Sequence, residues 1–176
     1  NYALAYAGLA DCSVFRAQAQ GGGEEAVAQA DASSKRALEL DPNSAEAHSS
    51  RGLTLSHQHR YKEVDAEFQE AMRLDPTLYE APYFYGRTLQ SQGKLHEAAQ
   101  MYERAVSIRP DEYQTLSYLA MAFQSLGNKD KLIETSARMV KAAERAVMLN
   151  PGDSRAFYLG AINLERLGES AKAEDW

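Results

Sequence analysis

Small and apolar residues recur along this chain at three- and four-residue spacing, in runs that end at X-Pro steps. Ala45, His48, Gly52 and Leu55 share one helical face, and Val64, Phe68, Ala71 and Leu74 share another. The two patterns meet at His59-Arg60, which reads as a tight turn. The pair then repeats. The run beginning at Ala45 and the run beginning at Tyr79 align without a gap at a 34-residue period, so that Gly52 falls on Gly86, Tyr61 on Leu95, Phe68 on Tyr102, Ala71 on Ala105 and Pro76 on Pro110. A fixed period of this size signals an array of one supersecondary unit, here a helix pair. No stretch keeps the period-two alternation of a strand. The expected fold is therefore all-α, with units of about 1–42, 43–76, 77–110, 111–151 and a short 152–176.

Punctuation supports this division. Asp41-Pro42, Asp75-Pro76, Arg109-Pro110 and Asn150-Pro151 each close a unit, because the residue before proline is pushed out of the helical region. Candidate N-caps follow at Ser44, Thr77, Asp111 and Asp153 or Ser154. Pro82 falls in a first helical turn, where its missing N–H matters little, and that helix is expected to start near Glu80. Gly93, before Lys94, suits a left-handed helix end. Small residues mark the helix crossings: Ala10, Gly52, Gly86, Ala120 and Ala161 in one set, and Ala30, Val64, Ala98, Leu132 and Ala173 in a second. Phe68, Tyr102, Phe123, Leu126 and Leu164 would fill the gaps beside them.

Two units are irregular. Gln18–Gly23 interrupts the first, between a helix over Leu4–Ala17 and one over about Glu24–Leu40. Three consecutive glycines read as a flexible loop. A phosphate cradle would want a preceding strand and a following Lys-Ser or Lys-Thr, whereas Glu24-Glu25 follow here. The fourth unit is seven residues longer than its neighbours, close to two helical turns. That predicts a helix over about Lys129–Leu149 with Leu132, Ile133, Ser136, Met139, Val140, Ala143, Ala146 and Val147 on one side. Its extra length would be a harmless extension or a docking ridge.

These motifs resemble the tetratricopeptide repeat, a 34-residue helix–turn–helix. The resemblance covers nearly the whole chain, with His48 and Pro82 where tryptophan is usual and Arg51 where leucine is usual. It implies a right-handed superhelical solenoid whose first helices line a concave groove, and a non-catalytic scaffold that binds a protein or peptide there. YALAYAGLADC, RALELDPNSAEAH and ERAVMLNPGDSRAFYLGA further resemble bacterial arrays found C-terminal to adenylate cyclase, serine/threonine kinase or winged-helix regulator domains. That implies a regulatory or sensory segment of a signalling protein. Both ends read as cut from a longer chain. Self-association through apolar surface near Leu164, Leu167 and Trp176 is a third expectation.

Register along the first helices places Tyr83, Phe84, Arg87, Gln114, Tyr118, Met121, Arg155 and Tyr158 in the expected groove as candidate peptide contacts. Aromatics, Met and Arg are enriched at binding surfaces. The competing reading is that the rings only fill space between helices. Some members of the resembled family clamp a terminal carboxylate with Lys, Asn and Arg. The matching slots here, among them Asp11, Ser50 and Glu80, do not make that clamp.

Bulk properties narrow the field further. A net charge of -6 argues against nucleic acid as partner. No apolar run is long enough for a membrane span, and Tyr2–Ala10 lacks the basic start of a signal peptide. Cys12, the only cysteine, forms no internal disulfide and reads as a buried structural thiol. The expected compartment is the cytoplasm, with the periplasm also compatible. His57 and His59 are two apart, which splays them on a helix, so neither a metal site nor a cofactor is expected. No acid–base pair or nucleophile stands out.

Overall fold

The computed structural model describes residues 2–19 and 23–176. It contains helices α1 (Tyr2–Ala19), α2 (Glu24–Leu40), α3 (Ala45–His57), α4 (Tyr61–Leu74), α5 (Glu80–Ser91), α6 (Leu95–Ile108), α7 (Tyr113–Ser125), α8 (Lys129–Leu149), α9 (Ser154–Arg166) and α10 (Ser170–Glu174). Among the described residues there is no strand, and the fold is the all-α helical repeat that the period implies. The starts of α2, α5 and α8 fall where the sequence places them. Residues 20–22 of the expected glycine loop lie outside the described residues. The chain divides into two compact units, Asn1–Thr88 and Leu89–Trp176.

In the first unit α1 packs on α2 and α3, and α3 packs on α4. Ala3, Ala7, Ala10, Val14 and Ala17 form the buried stripe of α1. Ala7, Ala37 and Ala47, from three helices, meet in one cluster edged by Leu38. Side chains this small let the backbones approach closely. Gly52 is a tight slot of this kind: a Cβ there would lie 3.0 Å from ring atoms of Phe68. Phe68 is fully buried and stacks on Tyr85 at 5.2 Å between ring centroids. Burying a ring of that size stabilises by roughly 1.5–3 kcal/mol. Tyr85 Oη donates to Asp65 Oδ1 at 3.0 Å, which satisfies the one polar atom the stack carries inward.

The second unit keeps the same plan. Tyr102, equivalent to Phe68 by period, is fully buried and stacks on Tyr118 at 5.7 Å. Its hydroxyl donates to Gln90 Oε1 at 2.7 Å. The long α8 buries Thr135, Ser136, Met139, Val140, Ala142 and Ala143. Ile133, expected on that face, is 54% exposed. It sits at the edge of the buried arc of Thr135, Ser136, Met139 and Val140. The seven residues that distinguish α8 from the 14-residue α6 add about 10 Å of helix. Met148 and Leu149 at its end are exposed.

Other expectations need correction. The close-approach residue of α9 is Gly160 rather than Ala161, because the Trp176 ring lies where a Gly160 Cβ would be, 2.0 Å from Cζ3. Trp176 also meets Phe157 edge-on at 5.8 Å, and Leu164 is buried rather than part of an open apolar end. Ser44 and Asp153 cap α3 and α9 as expected, accepting from Ala47 N and Ala156 N. Asp111 does not cap α7. Glu112 does, and Asp111 instead pairs with Arg145 at 2.6 Å. Thr77 stands three residues before α5, so its hydroxyl donates to Asp75 Oδ1 at 2.7 Å.

Candidate functional site

Within the first unit, α5 carries Tyr83, Phe84 and Arg87. Tyr83 is 9% and Phe84 6% exposed. The cause is a chain of rings. Tyr79 stacks on Tyr83 at 5.4 Å, Tyr83 meets Phe84 at 5.3 Å, and Phe84 meets Phe15 of α1 at 6.0 Å. The Arg87 guanidinium lies 5.7 Å from the Tyr83 ring centre. Tyr83 and Phe84 are thus buried among neighbouring rings, while Phe15 keeps 41% of its surface.

Beside these rings stands a carboxyl group with unusual surroundings. Asp11, one turn before Phe15 on α1, is half-buried, and its Oδ1 is sealed without a hydrogen-bond partner. Desolvation, with a smaller push from the Glu80 charge, raises its pKa to about 6, against a hydrogen bond from Ser50 that works the other way. Ser49, the preceding residue on α3, is 3% exposed and its Oγ also lacks a partner. The sequence marks Asp11 only as a slot where the carboxylate clamp is not made. Its burial depends on three helices at once and has no signal in α1 alone.

Within the second unit, α7 carries Gln114, Tyr118 and Met121, and α9 carries Arg155 and Tyr158. The two helices are in contact and are laced by polar bonds. Tyr113 Oη donates to Asp153 Oδ2 at 3.0 Å, Arg155 Nη1 to Gln114 Oε1 at 3.2 Å, and Arg166 Nε to Gln124 Oε1 at 3.1 Å. The structure thus joins Gln114 to Arg155 directly. Tyr118 and Met121 are half-buried, and Arg155 remains exposed. Tyr158 is 66% exposed, the reverse of Tyr83 and Phe84.

A cavity of about 450 Å³ opens between α6, α7 and α8, floored by Val106, Leu119 and Phe123. Lys131 crosses it, bonded to Glu103 at 2.8 Å and lying 5.0 Å from the Phe123 ring centre. None of the candidates from sequence lines it, because sequence register looked only at the first helices. Cys12 is exposed rather than buried, since it lies off the Ala3–Ala7–Ala10–Val14 stripe of α1. His48 sits in its packing slot with both ring nitrogens facing acceptors, Glu67 at 2.6 Å and the Pro42 carbonyl at 3.0 Å. That arrangement suits the doubly protonated ring: the Glu67 bond is the main influence raising its pKa, against desolvation. Among the described residues no cluster of His, Cys, Asp and Glu could hold a metal ion, and no helix is long and apolar enough to cross a membrane.

Profiles of the tetratricopeptide repeat match residues 34–64 and 79–112. Among solved structures, the PilF protein of Pseudomonas aeruginosa is similar at 22% identity and a TM-score of 0.69, over 98% of this chain and 72% of that one. MamA of Desulfovibrio magneticus is similar at 20% identity and a TM-score of 0.59, over 97% and 90%. YrrB, a TPR protein with an unusual peptide-binding site, is similar at 23% identity and a TM-score of 0.56, over 85% and 73%. Identities this low speak to fold alone. No curated protein matches the sequence.

Proposed function

We propose that this chain is a non-catalytic recognition element that takes a peptide or protein segment on its first helices. The observation that carries this reading is Tyr158, a large aromatic residue of α9 left 66% exposed. It shares its helix with exposed Arg155, and α7 alongside offers the half-open Tyr118 and Met121. A ring with a polar tip and a flat cation are the side chains that most often anchor a partner. The repeat class, which typically mediates protein–protein contact, and the peptide-binding site of YrrB support the same reading. The phrases at residues 2–12 and 144–161 support a place in a larger bacterial signalling protein of the cytoplasm, where binding would regulate a neighbouring domain.

Peptides selected against the full chain from a random display library provide the test. The double variant Tyr158→Ala with Arg155→Ala should weaken the selected peptides by roughly tenfold or more, which is the loss expected for anchor residues. Its far-UV circular dichroism should not change, because both side chains are exposed. Undiminished affinity would overturn the reading.

A further inference from the structure

The first unit contains a second feature that peptide recognition alone does not explain. On α1, Asp11 and Phe15 stand one turn apart. On α5, Glu80 and Phe84 do the same, and residues spaced in this way share a helix face. The two rings meet at 6.0 Å, and the two acids are close enough that the Glu80 charge acts on Asp11. From α3, Ser50 bonds to Asp11. Two polar atoms here have no partner: Asp11 Oδ1, and the hydroxyl of Ser49, which is 3% exposed. Buried polar atoms are normally satisfied, so orphans in a native fold call for an explanation.

Among the described residues, the inner register of this unit carries the acids Asp11, Glu46 and Glu80, together with Arg87, which lies over the Tyr83 ring. Desolvation, the main influence on His57, lowers its pKa, so it adds little positive charge near neutral pH. A sealed carboxyl group with an acid beside it gains from a cation that arrives with the ligand, since an opposite charge favours its ionised form. Phe15, 41% exposed, offers a ring face next to that charge. Acid and aromatic together suit a guanidinium better than an ammonium. The planar guanidinium stacks on rings, forks onto a carboxylate and sheds water more readily.

We propose that the inner face of the first unit seats an arginine side chain of a peptide partner, its guanidinium held by Asp11 between Ser50 and Glu80 and laid against Phe15 and Phe84. This rests on the peptide-binding reading and gives it a chemistry. Among the slots of the carboxylate clamp, Glu80 stands where a lysine is usual and Asp11 where an asparagine is, so the charge preference is shifted toward a cation.

The test is an NMR titration of the full chain with N-acetyl-arginine methylamide. Saturable shifts are expected at Asp11, Ser50 and Phe84, and the titration midpoint of Asp11 should fall from about 6 as the probe binds. The neutral isostere N-acetyl-citrulline methylamide should bind roughly tenfold more weakly, and Asp11→Asn should weaken the arginine probe to the same extent. Equal shifts from the citrulline probe, equal binding of N-acetyl-lysine methylamide, the same shifts from magnesium chloride, or an unmoved Asp11 midpoint would each overturn the proposal. The midpoint is read on the unaltered protein, so the outcome does not depend on how well Asp11→Asn folds. Selected peptides that need Tyr158 but ignore Asp11 would remove the arginine seat and leave the broader reading standing. An arginine probe that binds while Tyr158→Ala with Arg155→Ala changes nothing would do the reverse.

Discussion

Asp31 and Asp11 show how differently two carboxyl groups of one unit are treated. Asp31 receives Arg51 Nη1 at 2.7 Å and Lys35 Nζ at 2.7 Å, and Arg51, only 6% exposed, also bonds Ser34 Oγ at 3.1 Å. Desolvation, the largest single influence on Asp31, works against these bonds but does not prevail, and the pKa falls to about 2. Its folded pKa thus lies below the ordinary 3.8, so its stabilisation is present above that value and is lost as pH falls through about 2. Asp11 has the opposite sign. Its folded pKa of about 6 lies above the ordinary value, so stability is fully present below 3.8 and is lost as pH rises through about 6. Asp31→Asn should therefore destabilise by about 2 kcal/mol near neutral pH, leaving Arg51 buried without a counter-charge, and the loss should shrink in acid. Asp11→Asn should stabilise by about 1–3 kcal/mol near neutral pH and by nothing below pH 3.8. Urea denaturation of both variants between about pH 2 and pH 8 reads the two signs together. Matching slopes would show that the environments of these two carboxyl groups have been misjudged.

At the scale of the element, the turns inside the four helix pairs from α3 to α10 repeat a single backbone conformation. Gly93, Gly127 and Gly168 have φ of 75°, 70° and 77°, and in the second unit of the repeat the same slot holds His59 at φ 58°. A side chain in the left-handed region crowds the following carbonyl by roughly 1–2 kcal/mol. His59 recovers part of this through a 2.7 Å contact between its Nδ1 and Tyr61 Oη, but that contact is exposed and weak. His59→Gly should raise stability by about 0.5–1 kcal/mol, the strain relieved being partly offset by the greater freedom of glycine in the unfolded chain. A melting temperature that falls or stays put would sink the idea. The sequence made this slot legible because the glycines sit at a constant offset from the prolines. The caps were less legible. Thr77 and Asp111 carry the right chemistry, but α5 starts at Glu80, three residues beyond Thr77, and α7 starts at Tyr113, where Glu112 is the capping residue.

Over the whole molecule, the period makes neighbours in sequence neighbours in space: α1 with α2, α2 with α3, α7 with α8 and α8 with α9. That is why the fold could be read from spacing while the site could be read only in part. Tyr83 and Tyr158 share the inner register, yet one is 9% and the other 66% exposed. Tyr83 is covered by Tyr79 and by its neighbour Phe84, which in turn meets Phe15 of another helix, and no pattern within α5 reveals that chain of rings. The same locality should govern how damage spreads. Met139 is fully buried at the middle of the long α8. Met139→Ala should remove about 2–5 kcal/mol, the range for truncating a packed aliphatic side chain. In an array, stability is a sum of unit terms and nearest-neighbour terms, so the loss should fall on the elements that touch α8. Amide hydrogen exchange should then quicken along α7, α8 and α9 by the factor that this free energy sets, while the slowest amides of α1 to α4 keep their rates. An equal acceleration in all of these helices would mean that the chain opens as one cooperative block, and stability would then be shared across the array rather than held locally at each seam.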